Sequence, residues 1–193
     1  MRKIIYFIEF ILIKILFIIF KLIGYKFSSN LGFLIGIIFG PLFKSKKQII
    51  KNLEKANIQK KQNLKKIASN VLGNYGRIFA EYVHLEDFRN NKLNKYISIE
   101  GNEHLNDLKK SKKKAIFISG HFNNFELMAM QIEKIGIELA AIYRPLNNVF
   151  LNKTMEKIRT ENICKNQIKK GRAGSREIIK NVKNGKSIAI MID

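Results

Sequence analysis

The chain begins with a long apolar stretch that carries few charges. Residues 4–23 are apolar apart from Glu9, Lys14 and Lys21, and a helix of this length spans about 30 Å, the thickness of a bilayer core. Lys3, Lys14 and Lys21 fall on one stripe of such a helix, and a charge near the centre of a lone spanning helix costs a few kcal/mol. Three placements of this segment therefore remain: a helix that spans the membrane, a helix that lies in the interface with its lysines toward lipid phosphates, or a buried helix of a soluble domain.

A second apolar stretch and a basic segment follow. Residues 31–43 are apolar but too short to span, so they either dip into a membrane or pack on the domain. Residues 44–66 hold nine lysines and one acid, Glu54. Polybasic segments beside an anchor bind anionic leaflets, although a solvated helix face has the same composition. We predict a membrane-anchor segment at 1–43 and a catalytic domain at 44–193.

The remaining pattern alternates between helical and strand periodicity. Residues 64–88, 124–135, 150–163 and 175–183 have the spacing of helices. Short runs typical of strands lie at Tyr96–Glu100, Ala115–Ser119, Leu139–Tyr143 and Ser187–Ile192. Alternating strands and helices predict an α/β domain.

The net charge and the cysteine content indicate which partners and which cellular location suit the protein. The net charge is +21, which favours an anionic partner such as acidic lipid headgroups, an acidic protein or nucleic acid; solvated lysines from compositional bias give the same excess. No helix-turn-helix, zinc or RNA-recognition signature is present, which argues against nucleic acid. A lone cysteine, Cys164, forms no internal disulfide and is typical of a reducing, cytosol-facing location.

The strongest candidate for chemistry lies between a strand and a helix, at Ser119–Glu126. Sites in open α/β sheets lie at strand ends, and Gly120 allows a sharp turn before His121. An acid five residues later, Glu126, can orient the imidazole, which then removes a proton from a hydroxyl. The alternative is a capping box formed by Asn123 and Glu126, which needs no catalysis.

Two further clusters follow later strand ends. Arg144, Asn147 and Asn148 come directly after a strand, with Arg159 in the next helix; an arginine fork there suits a phosphate or a developing oxyanion. The segment 169–177 combines glycines with cations and could bind a phosphate at a helix start; its candidate ligands are Lys170, Arg172 and Arg176. Surface ion pairs and a plain capping loop are the alternatives. His84, His104 and Cys164 have no partner motif and are expected to be structural or surface residues.

Together these segments resemble the lipid A biosynthesis late acyltransferases (lauroyl/myristoyl acyltransferases). The resemblance runs through nearly the whole chain: the apolar N-terminus, NVLGNYGRIFAEYVHL, SGHFNNFELM, YRPLNN and KGRAGSREIIKNVKNGKSIAIMID. The H-x₄-E element is shared with the wider glycerolipid acyltransferases, whereas YRPLNN and KGRAGSRE are specific to the lipid A branch.

The resemblance implies a mixed sheet flanked by helices, like that of glycerolipid acyltransferases, on an enzyme of the bacterial inner membrane that faces the cytoplasm. It implies transfer of a fatty acyl chain from acyl carrier protein to a hydroxyl of the lipid A precursor, without metal, cofactor or covalent intermediate. His121 would be the general base and Glu126 its partner. Arg144 or Arg159 would stabilise the oxyanion or bind a headgroup phosphate.

Two other functions stay open at this point. The acceptor could be another glycolipid or a lysophospholipid, although the block typical of the glycerolipid branch is not seen. A basic membrane- or nucleic-acid-binding protein without catalysis would share the charge but would not need His121. Because the chain ends at Asp193 on an apolar strand, we expect the sheet to be incomplete and the chain to be a fragment.

Overall fold

The structure, a computed structural model, describes residues 2–56 and 63–192. Two lysines of the basic segment, Lys60 and Lys61, and the terminal Asp193 lie outside the described residues. The chain forms two units, one from residues 1–13 and 85–193 and the other from residues 14–84. The boundary predicted between residues 43 and 44 falls inside the unit of residues 14–84, and the division into an anchor and a catalytic domain stays a prediction.

The unit of residues 14–84 is helical. Its described elements are the second half of α1 (Arg2–Ile23), then α2 (Tyr25–Phe43), α3 (Lys46–Lys55) and α4 (Leu64–Glu81), followed by a 3₁₀ turn at Tyr82–His84. Ser45 and Asn63 begin α3 and α4 by accepting hydrogen bonds from the backbone N–H groups of Gln48 and Lys66.

Helices α2 and α4 approach closely because glycines meet at their interface. A Cβ atom on Gly32 would lie 2.5 Å from the carbonyl oxygen of Gly76, and one on Gly76 would lie 2.1 Å from the carbonyl oxygen of Gly32. Two buried side-chain hydrogen bonds join α2 to the end of α4 and to the turn that follows it: Ser29 Oγ donates to Glu81 Oε1 at 2.7 Å, and Ser28 Oγ lies 3.0 Å from Nε2 of His84 in the 3₁₀ turn. The small residues on α2 therefore bring the two backbones into contact.

One described helix, α2, is long and apolar enough to cross a membrane. It begins six residues before the apolar run at 31–43, so that segment is 19 residues long rather than too short to span. Helix α1 is continuous, but Glu9, Lys14 and Lys21 interrupt its apolar sequence. Both helices expose large apolar side chains, and the most exposed are Leu22, Phe27, Leu42 and Phe43.

The other described unit holds the sheet. It contains the first half of α1, then α5 (Leu85–Arg89), a 3₁₀ turn at Asn94–Tyr96 and α6 (Asn102–Ser111). Strands and helices then alternate: β1 (Ile116–Ser119), α7 (Glu126–Lys134), β2 (Leu139–Tyr143), α8 (Val149–Asn162), β3 (Asn166–Lys169), α9 (Arg172–Lys183) and β4 (Ser187–Met191). The α/β class predicted from the sequence is confirmed.

The four described strands form one sheet in the order β1-β4-β2-β3, and every pairing is parallel. The predicted mixed sheet is therefore not what these strands form: a helix joins each strand to the next in the chain, and such crossovers return strands in the same direction. Ala140, Ile168 and Ile188 form a core on the sheet, against which Ile178 of α9 packs.

Three of the four predicted strands are confirmed within a residue or so at their ends. The predicted strand at Tyr96–Glu100 was wrong, because Asn94–Tyr96 is a 3₁₀ turn and residues 97–99 pair with no described strand. Strand β3 was not predicted, because it is polar and only Ile168 in it is fully buried.

Candidate functional site

The residues that follow three strands meet at one edge of the sheet. His121 comes two residues after β1, Arg144 directly after β2 and Lys170 directly after β3. Because the strands are parallel, their carboxyl ends share an edge, the usual place for a site in an open α/β sheet. A cleft of about 590 Å³ opens there, lined by His121, Phe125, Glu126, Met128, Ala129, Ala141, Ile142, Tyr143, Arg144, Arg159, Gln167, Lys169, Lys170, Gly171, Gly174, Ser175, Ile178, Ala189, Ile190 and Met191.

The loop after β1 presents His121 to the cleft. Asn123 adopts a left-handed backbone conformation, with φ of 43°, which asparagine tolerates better than most residues. The imidazole of His121 is exposed and packs edge-on against the Phe125 ring, with the ring centroids 4.6 Å apart. The turn thus leaves the ring accessible to a substrate and supports it from one side.

Glu126 is the first residue of α7, and its carboxylate is buried in an ion pair. The N-cap residue of this helix is Phe125 rather than Asn123, and Phe125 makes no side-chain cap. Instead, Arg159 of α8 donates to Glu126 Oε1 from Nε at 2.9 Å and from Nη2 at 2.7 Å. The side chains of Glu126 and Arg159 are only 9% and 15% exposed, so the pair is shielded from water and tightly placed.

A second polar group lies beside this ion pair. The guanidinium of Arg159 lies over the ring of Tyr143, 5.5 Å from its centroid. The Tyr143 hydroxyl donates to Glu156 Oε1, which also accepts from Asn152 Nδ2 and from Lys169 Nζ, each at 2.9 Å. Burial, reinforced by the hydrogen bond to Glu156, raises the pKa of Tyr143, while the same hydrogen bond holds the pKa of Glu156 below its ordinary value.

Four cationic side chains line the described cleft, and they differ in whether a carboxylate is paired with them. Arg159 and Lys169 are each paired with a carboxylate, those of Glu126 and Glu156. Arg144 and Lys170 are exposed, and no described carboxylate pairs with either. An anion that enters the cleft therefore meets two cations whose charge is not already compensated by the described residues.

Other residues predicted to bind substrate lie outside the described lining of the cleft. Asn147, Arg172 and Arg176 are exposed but do not line it. Asn148 is buried and begins α8: its Oδ1 accepts from two backbone N–H groups, and its Nδ2 donates to Tyr6 O at 2.8 Å and to the Glu9 carboxylate at 2.9 Å. The contacts of Asn148 are thus those of a helix cap tied to α1, which differs from the predicted substrate contact.

The remaining histidines and the cysteine have the structural or surface positions expected of them. His84 is buried and hydrogen-bonded to Ser28, and His104 is exposed on α6. Cys164 is buried, its thiol donates to the Leu139 carbonyl at 3.1 Å, and burial raises its pKa to about 11. Within residues 2–56 and 63–192, no three His, Cys, Asp or Glu side chains gather as metal ligands would.

Sequence reasoning named Tyr143 and Lys169 only as members of their segments and did not select Glu156 or Asn152. The available signal was the helical spacing of α8, which places Asn152, Glu156 and Arg159 on one face. That face would have been informative only once β2 and β3 were known to lie beside it.

Comparison with known proteins assigns the chain to a family. The family described as bacterial lipid A biosynthesis acyltransferase matches residues 1–193. A search of curated proteins found no match. Since the family match covers the whole chain, this protein belongs to the bacterial lipid A biosynthesis acyltransferases.

Proposed function

We propose that the protein transfers a fatty acyl chain from acyl carrier protein to a hydroxyl group of a lipid A precursor, with His121 as general base. The observation that carries this proposal is the cleft itself, where an accessible imidazole lies among a buried carboxylate and several cations. Membership of the family supports acyl transfer and a lipid A acceptor. Both substrates are anionic, which agrees with the net charge of +21.

In the proposed reaction, the imidazole of His121 removes the proton from the acceptor hydroxyl as its oxygen attacks the thioester carbonyl. The tetrahedral oxyanion then collapses: the carbon–sulfur bond breaks, the new ester forms, and the departing thiolate receives the proton from the imidazolium. His121 is regenerated, and the products are the acylated acceptor and the free thiol of the carrier. The proton taken from the acceptor hydroxyl is the one delivered to the thiolate, so His121 only carries it and no other proton source is required.

Glu126 is proposed to accept a hydrogen bond from the second ring nitrogen of His121. Such a contact fixes the tautomer and stabilises the imidazolium that forms when the proton is taken. Arg159, through its two hydrogen bonds to Glu126 Oε1, holds the carboxylate in place. Because Arg159 also lines the cleft, its guanidinium is proposed to stabilise the oxyanion of the tetrahedral intermediate as well.

Arg144 and Lys170 are proposed to bind a phosphate of the lipid A precursor. Both line the cleft, and neither is paired with a described carboxylate, so their charge is available to an anionic ligand. Arg172 and Arg176 are exposed on the first turns of α9, close in sequence to Lys170. We propose that Arg172, Arg176 and the exposed amide of Asn147 assist at the edge of this region. Asn148 is proposed to act indirectly, by fixing the start of α8.

The N-terminal helices are proposed to hold the enzyme on the inner membrane with its cleft on the cytoplasmic side. Apolar side chains are exposed along α1 and α2, and exposed apolar surface of this extent is typical of membrane contact. Lys47, Lys51 and Lys55 are exposed on α3 and would face anionic headgroups. Washing membranes with concentrated salt should leave the protein bound, because salt screens the lysines but not the apolar contacts.

Mass spectrometry of lipid A tests this function. Cells that lack the gene should accumulate a precursor lighter by one acyl chain, and the wild-type gene should restore the mature mass. The gene carrying His121→Ala should not restore it. Unchanged lipid A in the deletion strain, together with an altered phospholipid or other glycolipid, would assign a different acceptor and contradict the proposal.

A further inference from the structure

We propose that Tyr143, which lines the cleft, and Glu156 are positioning residues for acyl transfer, which hold the Arg159–Glu126 pair in its working geometry. The inference rests on the proposed function, because it concerns the same reaction. It assigns a role to two residues that are 13 positions apart in the chain and meet where β2 lies beside α8.

The first observation is that Glu156 sits at the centre of a fixed group of donors. Its Oε1 accepts from the Tyr143 hydroxyl, from Asn152 Nδ2 at 2.9 Å and from Lys169 Nζ at 2.9 Å. Donors that arrive from two strands and from one helix leave the carboxylate little freedom to move. Glu156 is not among the described residues that line the cleft, so it acts on neighbouring side chains rather than on a substrate.

The second observation is that Tyr143 connects this group to Arg159. The guanidinium lies 5.5 Å from the centroid of the Tyr143 ring, a distance at which a cation is attracted to an aromatic face. The phenol is tied down by Glu156, so the ring cannot turn away from Arg159. The ring supports the guanidinium while Nε and Nη2 point at Glu126.

The third observation concerns charge. From Glu126 through Arg159, Tyr143 and Glu156 to Lys169, two acids and two cations alternate around a neutral phenol. The sum of these charges is zero, so the group can be partly buried without an uncompensated charge. The burial that keeps the Tyr143 hydroxyl protonated also keeps it a donor to Glu156, because the pKa of the phenol is raised.

A purely structural role for this group would stabilise the fold without affecting turnover. The positioning role makes a different prediction, because displacement of a reacting group by a fraction of an ångström lowers the rate more than the affinity. The two roles can therefore be distinguished by whether substitution lowers kcat more than it changes KM. They also differ in whether the effect of changing Tyr143 depends on Arg159.

The experiment measures transfer from acyl carrier protein to the lipid A precursor for the full chain in membranes. Tyr143→Phe removes one hydroxyl and keeps the ring; Glu156→Gln removes one charge and keeps the volume. Each should lower kcat about 10-fold or more with KM changed less than about twofold. Glu161→Gln is the matched control, because it removes an exposed carboxylate from the same helix, one whose described ion pair is with Lys157 at 3.8 Å, and it should leave kcat unchanged.

Coupling is tested in an Arg159→Lys background. There Tyr143→Phe should have less than about a third of its effect on kcat, because the guanidinium that the ring supports is gone. If Glu156→Gln fails to accumulate, Tyr143→Phe alone carries the test, since it retains nearly all of the side-chain volume. Normal kcat in both variants, or an equal loss in both backgrounds, would overturn the positioning role. Full transfer by His121→Ala would instead overturn the proposed function, so the two failures are distinguishable.

Discussion

Arg159 donates two hydrogen bonds to one oxygen of Glu126, from Nε at 2.9 Å and from Nη2 at 2.7 Å. The two residues are 33 positions apart, on α8 and at the first position of α7. The contact therefore joins the helix that follows the His121 loop to the helix that follows Arg144. It holds the Glu126 carboxylate in the lining of the cleft, so a change to either residue should affect the other.

The first prediction concerns this ion pair. Glu126→Gln and Arg159→Gln should each lower the free energy of unfolding by about 1.5–3 kcal/mol, because each leaves a buried charged partner with weaker hydrogen bonds. The double variant should lose less free energy of unfolding than the sum of the losses in the two single variants, since the second change removes a group already without its partner. Denaturant unfolding of all three variants measures this.

Glu161→Gln, in the exposed pair with Lys157, serves as the control for that cycle and should cost under about 0.5 kcal/mol. Strict additivity of Glu126→Gln and Arg159→Gln would mean that the two side chains do not interact in the folded protein.

The second prediction concerns Arg144 and Lys170, the two cations of the cleft that no described carboxylate compensates. Arg144→Gln and Lys170→Gln should each raise KM for the anionic acceptor about 3- to 10-fold, because a partly exposed phosphate contact is worth about 1 kcal/mol. The increase should shrink in concentrated salt. Lys180→Gln, an exposed cation of α9 outside the cleft lining, should leave KM unchanged. An equal rise of KM in all three variants would indicate general attraction by net charge.

The third prediction tests the contact between α2 and α4. Gly76→Ala should destabilise the protein by about 2–3 kcal/mol, because the new Cβ atom would lie 2.1 Å from the Gly32 carbonyl oxygen and the helices must separate. Gly40→Ala is the matched control: its Cβ would meet the Leu72 side chain at 3.0 Å, and the higher helix propensity of alanine offsets that crowding. Melting temperatures of the two variants should differ by several degrees. Equal melting temperatures would show that the helices do not meet through Gly76.

The fourth prediction concerns the buried thiol of Cys164. Its pKa is raised to about 11 by burial, so the folded state favours the neutral thiol. That contribution to stability is complete below the ordinary pKa of a thiol, about 9, and is lost as the pH rises from about 9 through 11. Thiolate absorbance during an alkaline titration should show a midpoint near pH 11 in the folded protein and near 9 in denaturant. Coincident midpoints would mean that the thiol is exposed to water.

The strand ends were the predictable part of this molecule. Ala115–Ser119 and Leu139–Tyr143 are short apolar runs, followed directly by a glycine and an arginine respectively. The positions of His121 and Arg144 at strand ends therefore followed from the pattern. Strand β3 was not predictable in the same way, because it exposes polar side chains and buries only Ile168 completely. Its position in the sheet depends on β2, which lies beside it.

Long-range contacts account for the rest. The spacing of Asn123 and Glu126 suits a capping box as well as it suits a site, and only the approach of Arg159 from α8 decides between them. Likewise, Ser28 and Ser29 near the start of α2 have their buried partners far along the chain, His84 and Glu81, so the local sequence does not indicate either contact. Local propensity gives no information about either partner.

The central claim is that His121 is the base for acyl transfer, and its most direct test is the rate of transfer by His121→Ala. The imidazole is exposed and packs edge-on against the Phe125 ring, and an exposed side chain contributes little to core packing, so the variant should keep the melting temperature of the wild-type protein within a few degrees. Transfer from a labelled acyl carrier protein should fall by about 10²–10⁴. Near-normal transfer by a folded His121→Ala protein would contradict the mechanism proposed for this enzyme.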